Sequence, residues 1–196
     1  GFGAGNTLMM KDLRRPNAPV VALTTDADFI YSPIEVMGNN IYIYTNYKAP
    51  KYRLMKANID NPRIESWTEV IPEGENVLSS AEIIDGKFVL CYNQDCSEHA
   101  YIYTLEGQKM HEVELPTLGT VWFSGDKDEK EVFYGFSSFT FPATIYKYDI
   151  DNNKSELYMA PKVDFKSDDY LTEQIFFTSK DGTKVPMFIT YKRGLN

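Results

Sequence analysis

Short runs in which Ile, Val, Tyr, Phe and Thr alternate with polar residues recur along the chain, each bounded by Gly, Pro, Asn or Asp. Alternation with a period of two predicts strands, and the bounding residues predict turns. No stretch keeps a helical period for more than two turns. The runs fall into sets of four. The first is "SPIEVMG", "NIYIYTNY", "YRLMKANID" and "SWTEVIP". The second is "LSSAEIIDG", "KFVLCYNQ", "HAYIYTLEG" and "KMHEVELP". The third is "GTVWFSGDKD", "EVFYGFSSF", "ATIYKYDID" and "KSELYMAP". Half a set, "NTLMMKDL" and "PVVALTT", precedes them. Leu8, Leu54, Ile102 and Ile145 occupy matching places in successive third runs.

A four-strand unit returning about every 40–50 residues predicts a β-propeller, in which each sheet is apolar on both faces and only a neighbouring blade can cover it. The expected class is all-β, a partial propeller of about three and a half blades. The blades are read at 29–73, 77–116 and 119–161, after half a blade at 6–26. The turns agree: "MGNN" and "IDGK" join first to second strands, and "DIDNNKS" joins third to fourth with Asp and Asn that tolerate the left-handed conformation. Pro72, Pro116 and Pro161 follow the last strands and close them. Residues 173–196 end the chain in a further strand pair around Asp181-Gly182. Two strands alone are barely stable in water, so this hairpin is expected to join a larger sheet.

Composition narrows the function classes. The formal net charge of −8 argues against nucleic acid, which needs clustered Lys and Arg. No apolar run is long enough to span a membrane as a helix. Cys91 and Cys96 are too close in sequence to make a disulfide framework and read as two free thiols. The first residues do not resemble a signal peptide and lack an initiator Met, so the natural N-terminus is expected upstream. The compartment, cytoplasmic or periplasmic, is not fixed.

Several candidate sites dissolve on inspection. Asp149, Asp151 and Asn153 begin like a calcium loop, but the sixth-position Gly and twelfth-position Glu are missing, so a hairpin turn is expected. "GDKDEKE" at 125–131 reads as a solvated turn. "GFGAGN" has no helix after it to make an anion site and reads as a flexible loop. Trp67 and Trp122 are expected to pack between blades rather than to stack on a ligand. Asn153-Lys154-Ser155 is a glycosylation sequon that matters only in a secretory pathway. No metal and no cofactor is expected.

Four stretches, "WTEVIPEGENVL" (67–78), "VELPTLGTV" (113–121), "EVFYGFSSFTFPATIYKYD" (131–149) and "EQIFFTSKDGTKVPMFITYKRGL" (173–195), together resemble the prolyl oligopeptidase family of serine peptidases. The most specific are the F-x-S-F-x-x-P-x-x-I-Y pattern from Phe136 to Tyr146 and the run from Ser179 to Phe188. The resemblance implies a seven-bladed propeller capping an α/β-hydrolase domain that is split around it in sequence. Residues 1–164 would be the second half of that propeller, 165–172 the crossover, and 173–196 the first strands of a truncated hydrolase domain. It also implies cleavage of short peptides after proline by a Ser-Asp-His triad, with the propeller as a size-selective gate. The family's cavity-facing arginine has no counterpart in Gly1 to Gly5.

The nucleophile of such a triad needs a G-x-S-x-G elbow. Ser124, Ser137 and Ser138 all lack it, and His99 and His111 fall inside blades as ordinary histidines. No catalytic, substrate-binding or metal-binding residue is therefore assigned here, and the triad is expected beyond Asn196. The partners expected for the whole protein are short proline-containing peptides and its own hydrolase domain. The rival readings are a non-catalytic propeller module that binds protein or glycan and, further off, a glycosidase with paired carboxylates in the channel.

Overall fold

The structure, a computed structural model, describes residues 5–164 and 166–195. Gly1 to Ala4 of the glycine-rich start lie outside the described residues. Among the described residues helix is confined to two single 3₁₀ turns, Ile64–Ser66 and Ser167–Asp169. Everything else that is regular is strand, as the period-two pattern requires.

β1 (Met9–Met10) and β2 (Val21–Ala22) form a short antiparallel pair. Three four-stranded meanders follow. Blade 1 is β3 (Tyr31–Met37), β4 (Asn40–Thr45), β5 (Arg53–Asn58) and β6 (Thr68–Ile71). Blade 2 is β7 (Val77–Ile84), β8 (Lys87–Gln94), β9 (Ser97–Tyr103) and β10 (Lys109–Glu112). Blade 3 is β11 (Thr120–Ser124), β12 (Val132–Ser137), β13 (Thr144–Asp149) and β14 (Lys154–Met159). The last pair is β15 (Tyr170–Thr178) and β16 (Lys184–Lys192). β15 starts inside the stretch read as crossover, because Tyr170, Leu171 and Thr172 find ladder partners in Lys192, Tyr191 and Thr190.

The turns follow local chemistry. Asp85 and Gly86 both have positive φ (48° and 65°), the twist-matched geometry of a two-residue hairpin. Asp95 and Cys96 adopt the same pair of angles without a glycine (50° and 64°). Asn153 takes φ 52°, as expected of the "DIDNNKS" turn, and the Asp149 carboxylate accepts the Asn152 N–H at 3.0 Å. At the end of the chain Asp181 caps Thr183 N at 3.0 Å, and Gly182 takes φ 87°.

The core is layered. Leu23 of the half blade packs with Tyr31, Ile41, Ile43, Met55, Ala57 and Trp67 of blade 1. The opposite face of blade 1, with Tyr42, Leu54 and Ile71, meets Leu78, Ile83, Phe88 and Leu90 of blade 2. Blade 2 then turns Ile84, Val89, Cys91, Ala100, Ile102 and Val113 toward Val121, Phe123, Val132, Tyr134, Phe136 and Tyr148 of blade 3. Alternate residues of one strand thus serve different neighbours, as with Phe88 and Val89 of β8. Polar ties run along each seam. Asn6 and Tyr31 exchange two bonds of 2.9 Å, Tyr44 Oη donates to Leu78 O at 2.7 Å, and Val121 N donates to Glu98 Oε2 at 2.8 Å.

The face of blade 3 that would meet a fourth blade is uncovered by any described strand. Trp122, Gly135, Ile145 and Met159 lie in register across it. Trp122 is 43% exposed on this face and lies against Gly135. Trp67, which lies just ahead of β6 rather than within it, does pack: it is buried and donates Nε1–H to Pro62 O at 2.8 Å.

Candidate functional site: the cleft between first strands

The first strands of blades 1 and 2, together with the loop after β11, wall a cleft of about 480 Å³. Glu35 and Glu82 stand on these strands, and Lys127 reaches over from the loop. Lys127 Nζ lies 3.0 Å from Glu35 Oε1, an ion pair that joins blade 3 to blade 1 past blade 2. The loop is anchored on the way, because Asp85 N donates to Asp126 O at 3.0 Å and Gly86 N to Lys127 O at 2.8 Å. A loop read as solvated is therefore partly pinned. The pair is separated by 92 residues in sequence, which no local pattern could signal.

The carboxylates differ in character. The Val36 N–H, 2.7 Å from Glu35 Oε1, holds that carboxyl below its usual range, and the Lys127 ammonium adds to this against the opposing effect of burial. Burial alone pushes Glu82 upward. A visible signal was a Glu at corresponding places in two otherwise strand-like first runs, "SPIEVMG" and "LSSAEIIDG".

The residues weighed for catalysis are dispersed. Ser124 and Ser137 end β11 and β12, and Ser138 begins the loop beyond. His99 Nδ1 is 3.1 Å from Glu112 Oε1. His111 belongs to a closed circuit between blades 2 and 3. Asn153 Nδ2 donates to Glu112 O at 3.1 Å, so its Oδ1 faces Tyr148, whose only hydroxyl proton goes to it at 2.7 Å. His111 Nε2, 3.1 Å from Tyr148 Oη, must then be the donor, which fixes the Nε2–H tautomer. Burial, and secondarily the nearby Lys87 ammonium, lowers the pKa of His111. The same circuit occupies both amide atoms of Asn153, the sequon residue. Asp149 and Asp151 serve the turn and the lysines: Lys87 Nζ is 3.2 Å from Asp151 Oδ1. Among the described residues no group of three or more His, Cys, Asp or Glu could hold a metal ion. Both cysteines are free; Cys91 is buried and its thiol is pushed up to about 12 by burial, while Cys96 is exposed on its turn. Among the described residues no helix is long and apolar enough to cross a membrane.

The hairpin β15–β16 lies at the opposite end of the blades from the Lys127 loop. It meets the second-to-third-strand turns: Gln174 Nε2 donates to Asp95 O, Thr140 Oγ1 is 3.5 Å from Thr172 Oγ1, and the Phe139 and Phe188 rings are 5.7 Å apart.

Meandering four-stranded sheets, stacked face to face with their first strands along a central cleft, define a β-propeller, here as three blades and part of another. Residues 3–161 match the model of the prolyl oligopeptidase N-terminal β-propeller domain, and the chain belongs to that family. The prolyl endopeptidase of Elizabethkingia meningoseptica is 36% identical over 192 residues, which are 97% of this chain and 27% of that protein. Prolyl oligopeptidase A of Galerina marginata is 30% identical over 137 residues, 68% of this chain and 18% of the relative. A solved prolyl endopeptidase structure superposes with a TM-score of 0.87 at 31% identity, covering 99% of this chain and 28% of that one. The chain thus spans little more than a quarter of these longest matches.

Proposed function

We propose that this chain is the gating part of a serine peptidase that cleaves short peptides after proline. The observation that carries the reading is the cleft between first strands, crossed by the Glu35–Lys127 ion pair. On this reading the cleft, bridged by charged side chains, belongs to the passage that admits extended peptides and excludes folded chains by geometry. The family membership and the names of the relatives support the peptidase class. The hairpin β15–β16 supports a second domain, because it stands outside the blade repeat and leaves Phe176, Phe177 and Ile189 between 39% and 49% exposed. On this reading the hairpin opens the hydrolase sheet. The serine nucleophile, its base and its acid come from residues outside this stretch, so the chain alone turns over no substrate.

The test is hydrolysis of a chromogenic proline-containing peptide by the full-length protein and by the 196-residue chain. Turnover by the full-length protein only, falling steeply with peptide length, is the expected result. Turnover by the chain alone would overturn the assignment of the nucleophile. Equal rates on short peptides and folded substrates would overturn the gate.

A further inference from the structure

A groove of about 460 Å³ opens between blade 2 and the link that leaves blade 1 after Ile71. It is built on the second, third and fourth strands of blade 2, so it faces outward, away from the cleft between first strands. Its wall is three tyrosines. Phe88, Leu90 and Tyr92 alternate on one face of β8, and the ladder sets Tyr103, opposite Phe88, and Tyr101, opposite Leu90, on that same face. Phe88 and Leu90 are buried in the seam with blade 1, whereas the three tyrosines are only half-buried. The turn after β9 presses on blade 1, where a Cβ on Gly107 would fall 2.3 Å from Val70 O. The link itself is held by Lys51, whose N–H donates to Glu73 Oε1 at 2.6 Å and whose Nζ donates to the Glu75 carbonyl. Charge does not dominate the rim, since Glu73 and Glu75 are matched by Lys51 and Lys109. The Tyr92 and Tyr101 rings are 5.8 Å apart and inclined at 69°. The Lys109 ammonium lies 4.0 Å from the centroid of the Tyr101 ring.

We propose that this groove is a second peptide site, which takes a proline-rich segment in the polyproline II conformation, with the Tyr92 and Tyr101 rings as its platform and the Lys109 ammonium as a cover that the segment displaces. Such a segment has three residues per turn and thus a triangular cross-section. An edge of that prism fits between two flat walls inclined at about 60°, close to the 69° of these two rings. Aromatic faces suit proline rings, and the segment arrives already ordered, so little entropy is lost on docking. Its carbonyls have no internal partners and accept from the Tyr92 and Tyr103 hydroxyls. Burial raises the pKa of both tyrosines, Tyr92 to about 12, so these donors keep their protons. An external cation would find the Tyr101 face already taken and Lys109 repelling it. The site rests on the proposed function only in that proline-containing peptides are the ligands at hand. A peptide held there is kept close to the enzyme while another part of it enters the cleft.

The experiment uses the full-length protein, treated with a fluorophosphonate to block a serine nucleophile, and the fluorescence anisotropy of a labelled decaproline peptide. Decaproline is expected to bind, and Tyr101→Ala to weaken it about threefold to tenfold, the worth of one aromatic contact. Tyr101→Phe, which keeps the ring, is expected to stay within about twofold of the parent. Lys109→Met is expected to tighten binding about twofold to fivefold, because the exposed cation–π contact no longer has to be broken. A gain of affinity is an effect that a merely structural role would not produce. No binding of decaproline, or an affinity that Tyr101→Ala and Lys109→Met both leave unchanged, overturns the site. A labelled decalysine that binds more tightly than decaproline overturns it in favour of a cation pocket. Failure of the protein to react with the fluorophosphonate counts separately against the peptidase reading, and the two substitutions still decide the groove.

Discussion

Ile102 and Ile145 occupy matching places in blades 2 and 3, yet they live in different surroundings. Ile102 is fully buried against blade 3, whereas Ile145 is half-buried beside Trp122 and Met159, which are 43% and 61% exposed. The two strands present the same kind of face. What differs is whether another sheet lies against it. A propeller blade is therefore a repeat whose stability is held in the seams, and the sequence of one blade cannot say how much of its surface is buried.

The largest effect should come from emptying a seam. Phe88 is completely buried and packs edge-on to Tyr42 across the junction of blades 1 and 2, with centroids 5.2 Å apart. Phe88→Ala should cost about 3–5 kcal/mol in a urea titration. The comparison itself is broken or kept by the isoleucines. In the 196-residue chain Ile102→Ala should cost about 2–5 kcal/mol and Ile145→Ala less than about 1 kcal/mol. If a fourth face covers blade 3 in the full-length protein, the cost of Ile145→Ala should rise toward that of Ile102→Ala. Equal costs in the short chain would mean that its open face is covered by something else, such as a second copy.

Gly135 sharpens the contrast locally. A Cβ there would fall 2.1 Å from the Trp122 ring, which lies flat over the glycine. Because that ring borders solvent, Gly135→Ala should push it outward, red-shifting its fluorescence and costing about 1–3 kcal/mol. The ion pair of the cleft should matter less to stability. Both partners are about one-third exposed, at 32% and 33%, so Lys127→Met should lower stability only slightly, and less in high salt. A larger loss in a denaturant titration would mean that the loop, not the charge, carries the seam.

The smallest expected effect is a pH dependence. His111 has its folded pKa below the ordinary 6.5, so on acidification the unfolded chain takes up the proton first. The contribution of His111 is complete above that value and declines as pH falls from about 6.5 toward the lower folded value. Unfolding titrations of the parent and of His111→Gln should diverge in that window. Parallel curves would show that the histidine senses no difference between the two states.

Much of this was legible locally. Alternation found the sets of four strands, and Asp85-Gly86, Asn153 and Asp181-Gly182 announced their turns through residues that tolerate positive φ. The turn at Asp95-Cys96 was not announced, since cysteine gives no such signal. The early start of β15 was missed because Tyr170 to Thr172 become a strand only through their partners on β16. The cleft was the least legible feature. Glu35 and Lys127 meet because three blades fan about one line, and "GDKDEKE" read alone has every mark of a solvated loop.

By itself the sequence determined the repeat, the turn positions and the family pattern from Phe136 to Tyr146, because these depend on neighbours within a few residues along the chain. Only the tertiary structure decided which tryptophan is buried, which carboxylates face each other and where the hairpin meets the blades. Those outcomes depend on how whole sheets stack, and the distances between stacked sheets are not encoded in any single strand.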